Sequence, residues 1–198
     1  MILRYSDVPT LVSLDYLRGI DRDPPGTWLA QKKCDGVRRM AYHTPQGWVY
    51  IAKNRSDSKP IQPALKEAFE SLPWSVGVGV DMEMTGPRHA GGKHQLWIFD
   101  ILAVPNHGQS MWVGDMPFDA RATLLKLNAW FDPPLINYVE TVPNPGLVDF
   151  YAEQLTDPLS EGLVVRRANS KLIGSTKGCA VNPHWFKVKH REAVKELP

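Results

Sequence analysis

The sequence predicts an α+β fold with mostly antiparallel sheets, and three observations carry that expectation. Strand-like and helix-like segments interleave irregularly instead of alternating as βαβ units. Two β-prone runs, 37–43 and 48–53, flank Thr44-Pro45-Gln46-Gly47, a hairpin signal. Finally, 198 residues of which 43% are hydrophobic suffice for a sizeable core.

Taken in order, the chain opens with a short apolar segment around Leu11, Val12, Leu14 and Leu17, closed by the turn-like Asp21-Arg22-Asp23-Pro24-Pro25-Gly26. Residues 28–32 read as a strand that delivers Lys33 at its end, and the hairpin follows, with Arg55 just beyond it. Pro63 suits the first turn of a helix in which Ala64, Leu65, Ala68, Phe69 and Leu72 recur at helical spacing. Residues 76–84 alternate like a strand and place Asp81 and Glu83 on one face. Residues 95–102 are almost wholly apolar, which predicts a strand deep in a sheet, and Gly86, Gly91 and Gly92 make the link to it a loop. The segment 104–116 reads as irregular. A helix is expected over 118–131, stopped by Pro133-Pro134, then a strand over 135–142, a helix over 147–155, a strand over 163–167, a loop over 168–183 and a last strand over 184–190.

Composition narrows the function classes. Cys34 and Cys179 have no ligand-like spacing to histidines, which argues against a zinc site or a disulfide framework. No apolar run approaches the ~20 residues that cross a bilayer, and the first residues lack a signal-peptide layout, so a soluble intracellular chain with no membrane partner is expected. The net charge of +2 is small. Arg166, Arg167, Lys171, Lys177, Lys187, Lys189, Arg191 and Lys195 nevertheless crowd the last third, where they form either a phosphate-attracting surface or a solvated basic face.

The stretch with the most chemistry is Lys33-Cys34-Asp35-Gly36-Val37-Arg38. An unperturbed lysine, with a pKa near ~10.4, is a poor nucleophile at neutral pH. Lowering it by about three units favours the neutral amine by roughly 4 kcal/mol, and Lys32, Arg38 and Arg39 are the cations at hand to do so. Asp35 can orient the amine or accept hydrogen bonds from a sugar, and Gly36 allows a tight turn or a close approach. The same residue types also make an ordinary hairpin turn between solvated charges.

Further matches in the chain favour the chemical reading. The hexapeptide resembles motif I of the covalent nucleotidyltransferases, the superfamily of ATP-dependent DNA ligases, RNA ligases and mRNA capping enzymes. In family order, Asn54-Arg55-Ser56 resembles motif Ia, Asp81-Met82-Glu83 motif III, Leu96-Trp97-Ile98-Phe99-Asp100 motif IIIa, Glu161-Gly162-Leu163-Val164-Val165-Arg166 motif IV, and Trp185-Phe186-Lys187-Val188-Lys189 motif V. The Asp-Gly-x-Arg continuation, the Trp-x-Lys-x-Lys ending and Arg121 look most like ATP-dependent DNA ligases.

The resemblance implies a nucleotidyltransferase fold of two packed, mostly antiparallel sheets with flanking helices over 1–198. It implies attack by Lys33 on the α-phosphorus of ATP, an AMP-lysine intermediate, and sealing of nicked duplex DNA by a monomer. Asp35, Lys187 and Lys189 would share the catalytic work. Gln31, Phe99, Arg38 and Arg55 would hold the nucleotide, and Glu83 and Glu161 a Mg²⁺ ion. Physically, two lysines on one strand face suit one α-phosphate, glutamates suit Mg²⁺, and an apolar ring suits adenine. Taken singly, the glutamates also read as surface residues and Phe99 as core.

Some positions depart from the pattern. Leu172 stands where ligases commonly carry an aromatic residue, and Arg166 where they carry lysine. The family's OB-fold domain, which would align pyrophosphate, has no room in the nine residues after Lys189, so a separate OB-fold or DNA-binding partner is expected. An RNA ligase, or a non-catalytic nick- or nucleotide-binding module, is the alternative expectation.

Overall fold

The computed structural model describes residues 7–52, 60–86, 94–107, 109–128, 135–173 and 180–190. In chain order they form β1 (Asp7–Leu11), α1 (Leu14–Ile20), β2 (Trp28–Cys34), β3 (Gly36–Thr44), β4 (Gly47–Ala52), α2 (Pro63–Glu70), β5 (Gly79–Thr85), β6 (Gln95–Asn106), β7 (Gln109–Trp112), α3 (Phe118–Asn128), β8 (Ile136–Tyr138), β9 (Thr141–Pro143), α4 (Leu147–Gln154), β10 (Ser160–Arg167) and β11 (Ala180–Lys189).

Two sheets result. The first has the order β1-β11-β10-β2-β9; the second runs β4-β3-β5-β6-β7, with β8 beside β6. Only the β1–β11 and β6–β8 pairings are parallel among those described. The α+β expectation of two mostly antiparallel sheets with flanking helices therefore holds.

Alternation along the strands explains how each sheet serves two surroundings. On the outer face of the first sheet, Ala30, Leu163, Val165 and Val188 pack with Leu17 and Ile20 of α1 and Leu147 and Tyr151 of α4. On the second sheet, Val80, Met82 and Ile98 pack with Leu65 and Phe69 of α2. Each such large apolar side chain stabilises by roughly 1.5–3 kcal/mol when fully buried. Between the sheets, Met40, Tyr42 and Leu102 meet Leu172 and Trp185. The intervening positions of β2, β10 and β11 are left to face a cleft.

The helix ends follow local chemistry. Ser13 caps α1 by accepting from Tyr16 N at 3.2 Å. Gly146 precedes α4 and has no side chain to offer; Asp21, 125 residues earlier, accepts from Gly146 N and Leu147 N at 2.9 Å and from Val148 N at 3.3 Å. The turn at 21–26 is thereby docked onto α4.

Several expectations need correction, among them the loop expected over 168–183, which gives way to β11 at Ala180. The apolar start of the chain is not one segment but a strand and a helix, β1 and α1. The 104–116 stretch is not irregular throughout, because β6 runs on to Asn106 and returns as β7, with Ala103 opposite Trp112. The strand expected over 135–142 is two strands in different sheets, β8 against β6 and β9 against β2. Periodicity within 135–142 is the same in both pieces, so it carries no trace of the crossing.

Candidate active site

The hexapeptide 33–38 lies where the chain leaves the first sheet and enters the second: β2 ends at Cys34, Asp35 turns, and β3 begins at Gly36. Gly36 is needed there because a Cβ would run into the carbonyl oxygen of Met84 on β5. The crossing opens on a cavity of 380 Å³ lined by residues of both sheets, among them Gln31, Lys33, Arg38, Glu83, Phe99 and Glu161.

The register of the first sheet arranges its contribution in rows. Lys33, Gly162 and Lys189 lie side by side across β2, β10 and β11; the next row is Gln31, Val164 and Lys187, and the next Leu29, Arg166 and Trp185. A register irregularity between Ser160 and Gly162 interrupts the alternation of β10. Glu161 consequently lines the same cavity as Val164 and Arg166. Gly162 takes φ +137°, and a Cβ on it would collide with the Val188 carbonyl.

At this bulge Glu161 gathers the charges. Its Oε2 accepts from Lys33 Nζ at 2.6 Å and lies 3.0 Å from Lys189 Nζ. Burial alone would raise the Glu161 carboxyl. Hydrogen bonds with Asp35, Lys33 and Lys189 and the charge of Lys33 outweigh it and hold the group down at about 2. The cations expected around Lys33 are disposed differently. Lys32 pairs with Asp157 at 3.1 Å and sits 3.5 Å from the Trp97 ring centre. Arg38 forks onto Asp81, its Nε donating at 2.9 Å. Arg39 is buried and donates to the Arg38 carbonyl at 3.0 Å. The charged partner that touches the Lys33 amine is Glu161, an anion.

Glu83 is half-buried on β5 and lines the cavity from the opposite sheet. Burial pushes its carboxyl up to about 7; Lys33 and Arg38 pull it down, while Asp81 and Glu161 push it further up. Among the described residues no group of three or more His, Cys, Asp or Glu side chains is gathered as a ready metal centre. Mg²⁺ does not require one, since it is usually held by one or two carboxylates with phosphate oxygens and water. Glu83, whose ionised form lacks enough nearby positive charge, fits such a cation, and Glu161 fits as the second carboxylate once its lysines turn to phosphate.

One row from Arg166, Gln31 is 2% exposed. Its Nε2 donates to the Phe99 carbonyl at 2.9 Å and to Thr141 Oγ1 at 3.2 Å, which leaves Oε1 buried with no partner. Phe99 lines the cavity from β6 with the Arg38 guanidinium 5.4 Å from its ring centre. A flat base that stacks on Phe99 and offers an amino hydrogen would satisfy that oxygen.

Of the residues expected at the site, Lys33, Asp35, Gln31, Arg38, Glu83, Phe99, Glu161, Lys187 and Lys189 converge on the cavity or its rim. Arg55 lies outside the described residues. Leu172 is not at the cavity but in the apolar contact between the sheets. The basic face expected from the last third is partly turned inward, since Arg166, Lys187 and Lys189 line the cavity while Arg167 and Lys171 are exposed; Lys177, Arg191 and Lys195 lie outside the described residues. Sequence reasoning missed Asp157 as the partner of Lys32, and no spacing signal links residues 125 positions apart. Cys34 lines the cavity as an inert thiol, pushed up to about 12 chiefly by burial.

No protein-family model and no curated protein matches the sequence. The fold, however, is similar to those of solved ATP-dependent ligases. A Lig E DNA ligase, described as binding DNA with a minimal scaffold, matches with a TM-score of 0.59 at 18% identity over 96% of this chain and 70% of that one. Mycobacterial DNA ligase D complexed with ATP and MES matches with a TM-score of 0.62 at 18% identity, over 95% of this chain and 60% of that one. An archaeal ATP-dependent RNA ligase matches with a TM-score of 0.53 at 15% identity, over 94% of this chain and 49% of that one. The chain has the nucleotidyltransferase fold found in ATP-dependent ligases.

Proposed function

We propose that this chain is an ATP-dependent ligase-type nucleotidyltransferase that forms a lysyl-AMP intermediate on Lys33 and seals 5′-phosphate/3′-hydroxyl nicks in DNA. The observation that carries the reading is the set of groups around one cavity: a lysine amine held by Glu161 beside Lys189, and a buried acceptor, Gln31 Oε1, beside the Phe99 ring. The lysines suit the phosphates of a nucleotide, and the Gln31 acceptor beside Phe99 suits its base.

In this reading ATP lies with its base on Phe99 and its α-phosphate against Lys187 and Lys189. Phosphate oxygens replace Glu161 as the partner of Lys189, and Lys187 adds a second cation, which neutralises the charge that builds up on them. The Lys33 amine loses a proton to solvent, and Glu161 Oε2, in contact with it, orients the amine for attack. The nitrogen–phosphorus bond then forms as the bond to pyrophosphate breaks. Mg²⁺, held by Glu83 and Glu161, would supply charge neutralisation at the phosphates. AMP passes to the 5′-phosphate of the nick, and attack by the 3′-hydroxyl releases it. An OB-fold or DNA-binding partner would align the pyrophosphate and close over the duplex.

The test is incubation with radiolabelled ATP and Mg²⁺ followed by denaturing electrophoresis. Label that survives denaturation and is lost in Lys33→Ala is expected, and it should be weak for the 198-residue chain without an OB-fold partner. No label in the wild-type chain under any condition, with or without such a partner, would refute covalent chemistry. The similarity to an archaeal RNA ligase keeps an RNA substrate as a second reading; competition between nicked DNA and nicked RNA separates the two.

A further inference from the structure

We propose that Arg166 is a positioning residue that sets the gap between the two sheets at the base-binding side of the cavity, and through it the affinity for the nucleotide. The inference rests on the nucleotide-binding reading above and extends it to a residue outside the phosphate chemistry.

Arg166 belongs to β10 of the first sheet, yet its Nη1 donates to Asp100 Oδ2 on β6 of the second at 2.7 Å. Both residues are buried, at 2% and 0% exposure. Its guanidinium is also flanked by aromatic rings, 3.9 Å from the Trp185 ring centre on β11 and 4.3 Å from that of Phe118 on α3. Asp100 is itself fixed, since Oδ1 accepts from Arg121 Nε at 3.0 Å and Ile101 N at 2.9 Å, and Oδ2 from Arg121 Nη2 at 3.2 Å. The charges of Arg121 and Arg166 outweigh burial and hold Asp100 below its ordinary range. The cluster therefore carries two guanidinium groups on one carboxylate, buried at the cavity wall, where Arg166 is itself a lining residue.

Position along the strand gives this clamp its consequence. Val164, two residues before Arg166 on the same face of β10, sits in the row of Gln31, and the Phe99 ring centre is 5.8 Å from the Arg166 guanidinium. Val164 on one sheet and Phe99 on the other are the apolar walls that a base would enter between. Arg166 ties those sheets together beside the walls. A lysine keeps the charge but cannot lie flat between Trp185 and Phe118 while donating to Asp100.

The experiment compares wild type, Arg166→Lys and Arg166→Met for ATP binding by calorimetry, and for self-adenylation over a range of ATP concentrations, with thermal unfolding as the control for folding. Arg166→Lys is expected to weaken ATP binding and raise the KM for ATP about tenfold with the saturating rate little changed. Arg166→Met should do so more strongly. Unchanged ATP affinity and KM in a folded Arg166→Lys protein, whatever its melting temperature, would overturn the proposal alone. Should the wild-type chain bind no ATP, the nucleotide-binding reading and this proposal fall together.

Discussion

At the scale of single residues, the two glutamates facing the cavity are shifted in opposite directions, and pH tells them apart. Glu83 is pushed up to about 7 by burial, so between the unfolded value of 4.5 and about 7 its ionisation costs more in the folded chain, and the cost persists above that window. Glu83→Gln should therefore be at least as stable as wild type near pH 8, with the difference vanishing below the unfolded value. Glu161 is held at about 2, so it stabilises the fold above 4.5 and loses that contribution as pH falls toward 2. Glu161→Gln should be less stable than wild type at neutral pH and converge with it in acid. Thermal unfolding of both variants across the pH range checks the pair, and parallel curves would remove this account of the site. For nucleotidyl transfer both substitutions should cost at least about tenfold, the usual loss when an ion-holding group is neutralised. Added Mg²⁺ should raise the melting temperature of wild type more than that of Glu83→Gln.

At the scale of elements, the docking of the 21–26 turn on α4 depends on one carboxylate. Asp21 accepts from three backbone N–H groups at the start of a helix that has glycine at its cap position, so Asp21→Ala should cost about 1–2 kcal/mol, with Asp21→Asn retaining part of it. Chemical denaturation measures this, and a loss under about 0.3 kcal/mol would mean that water caps α4 equally well. The same contact illustrates what the sequence conveys. Helices such as α2, with Pro63 at its start and Leu65 and Phe69 on its buried face, are legible because their signals are local. So are the hairpin β3–β4 and the shared face of Asp81 and Glu83. Asp21 as a cap, Asp157 on Lys32 and the division of β8 from β9 are not, because each is decided by a partner over a hundred residues away or by a change of sheet that leaves the local pattern intact. Most of the site residues were legible because spaced motifs named them; the bulge that turns Glu161 into the cavity beside Lys33 was not, since strand alternation would send it to the other face.

At the scale of the whole molecule, the expected nucleic-acid contact is modest. A chain of net charge +2 with several of its late cations turned into the cavity can neutralise few phosphates. Binding should show a shallow salt slope of about three to five contacts and micromolar or weaker affinity near physiological ionic strength. Nicked duplex with a 5′-phosphate should bind better than intact duplex, and equal anisotropy titrations for the two across a salt series would argue against a nick-directed role. The strand order carries a different consequence, for the order of assembly during synthesis. The second sheet is built largely from neighbours in sequence, β3 with β4, β5 with β6 and β6 with β7, so it can form while the ribosome is still adding the rest. The first sheet cannot, because β1 and β10 both pair with β11 and Asp7 must wait for Ala180. Until β11 emerges, β10 presents an open edge and the cavity lacks Lys187 and Lys189. The last of the described strands is thus the one that closes the first sheet and completes the cavity, so a ribosome stalled before it holds a chain with a folded half and an exposed, pairing-competent edge.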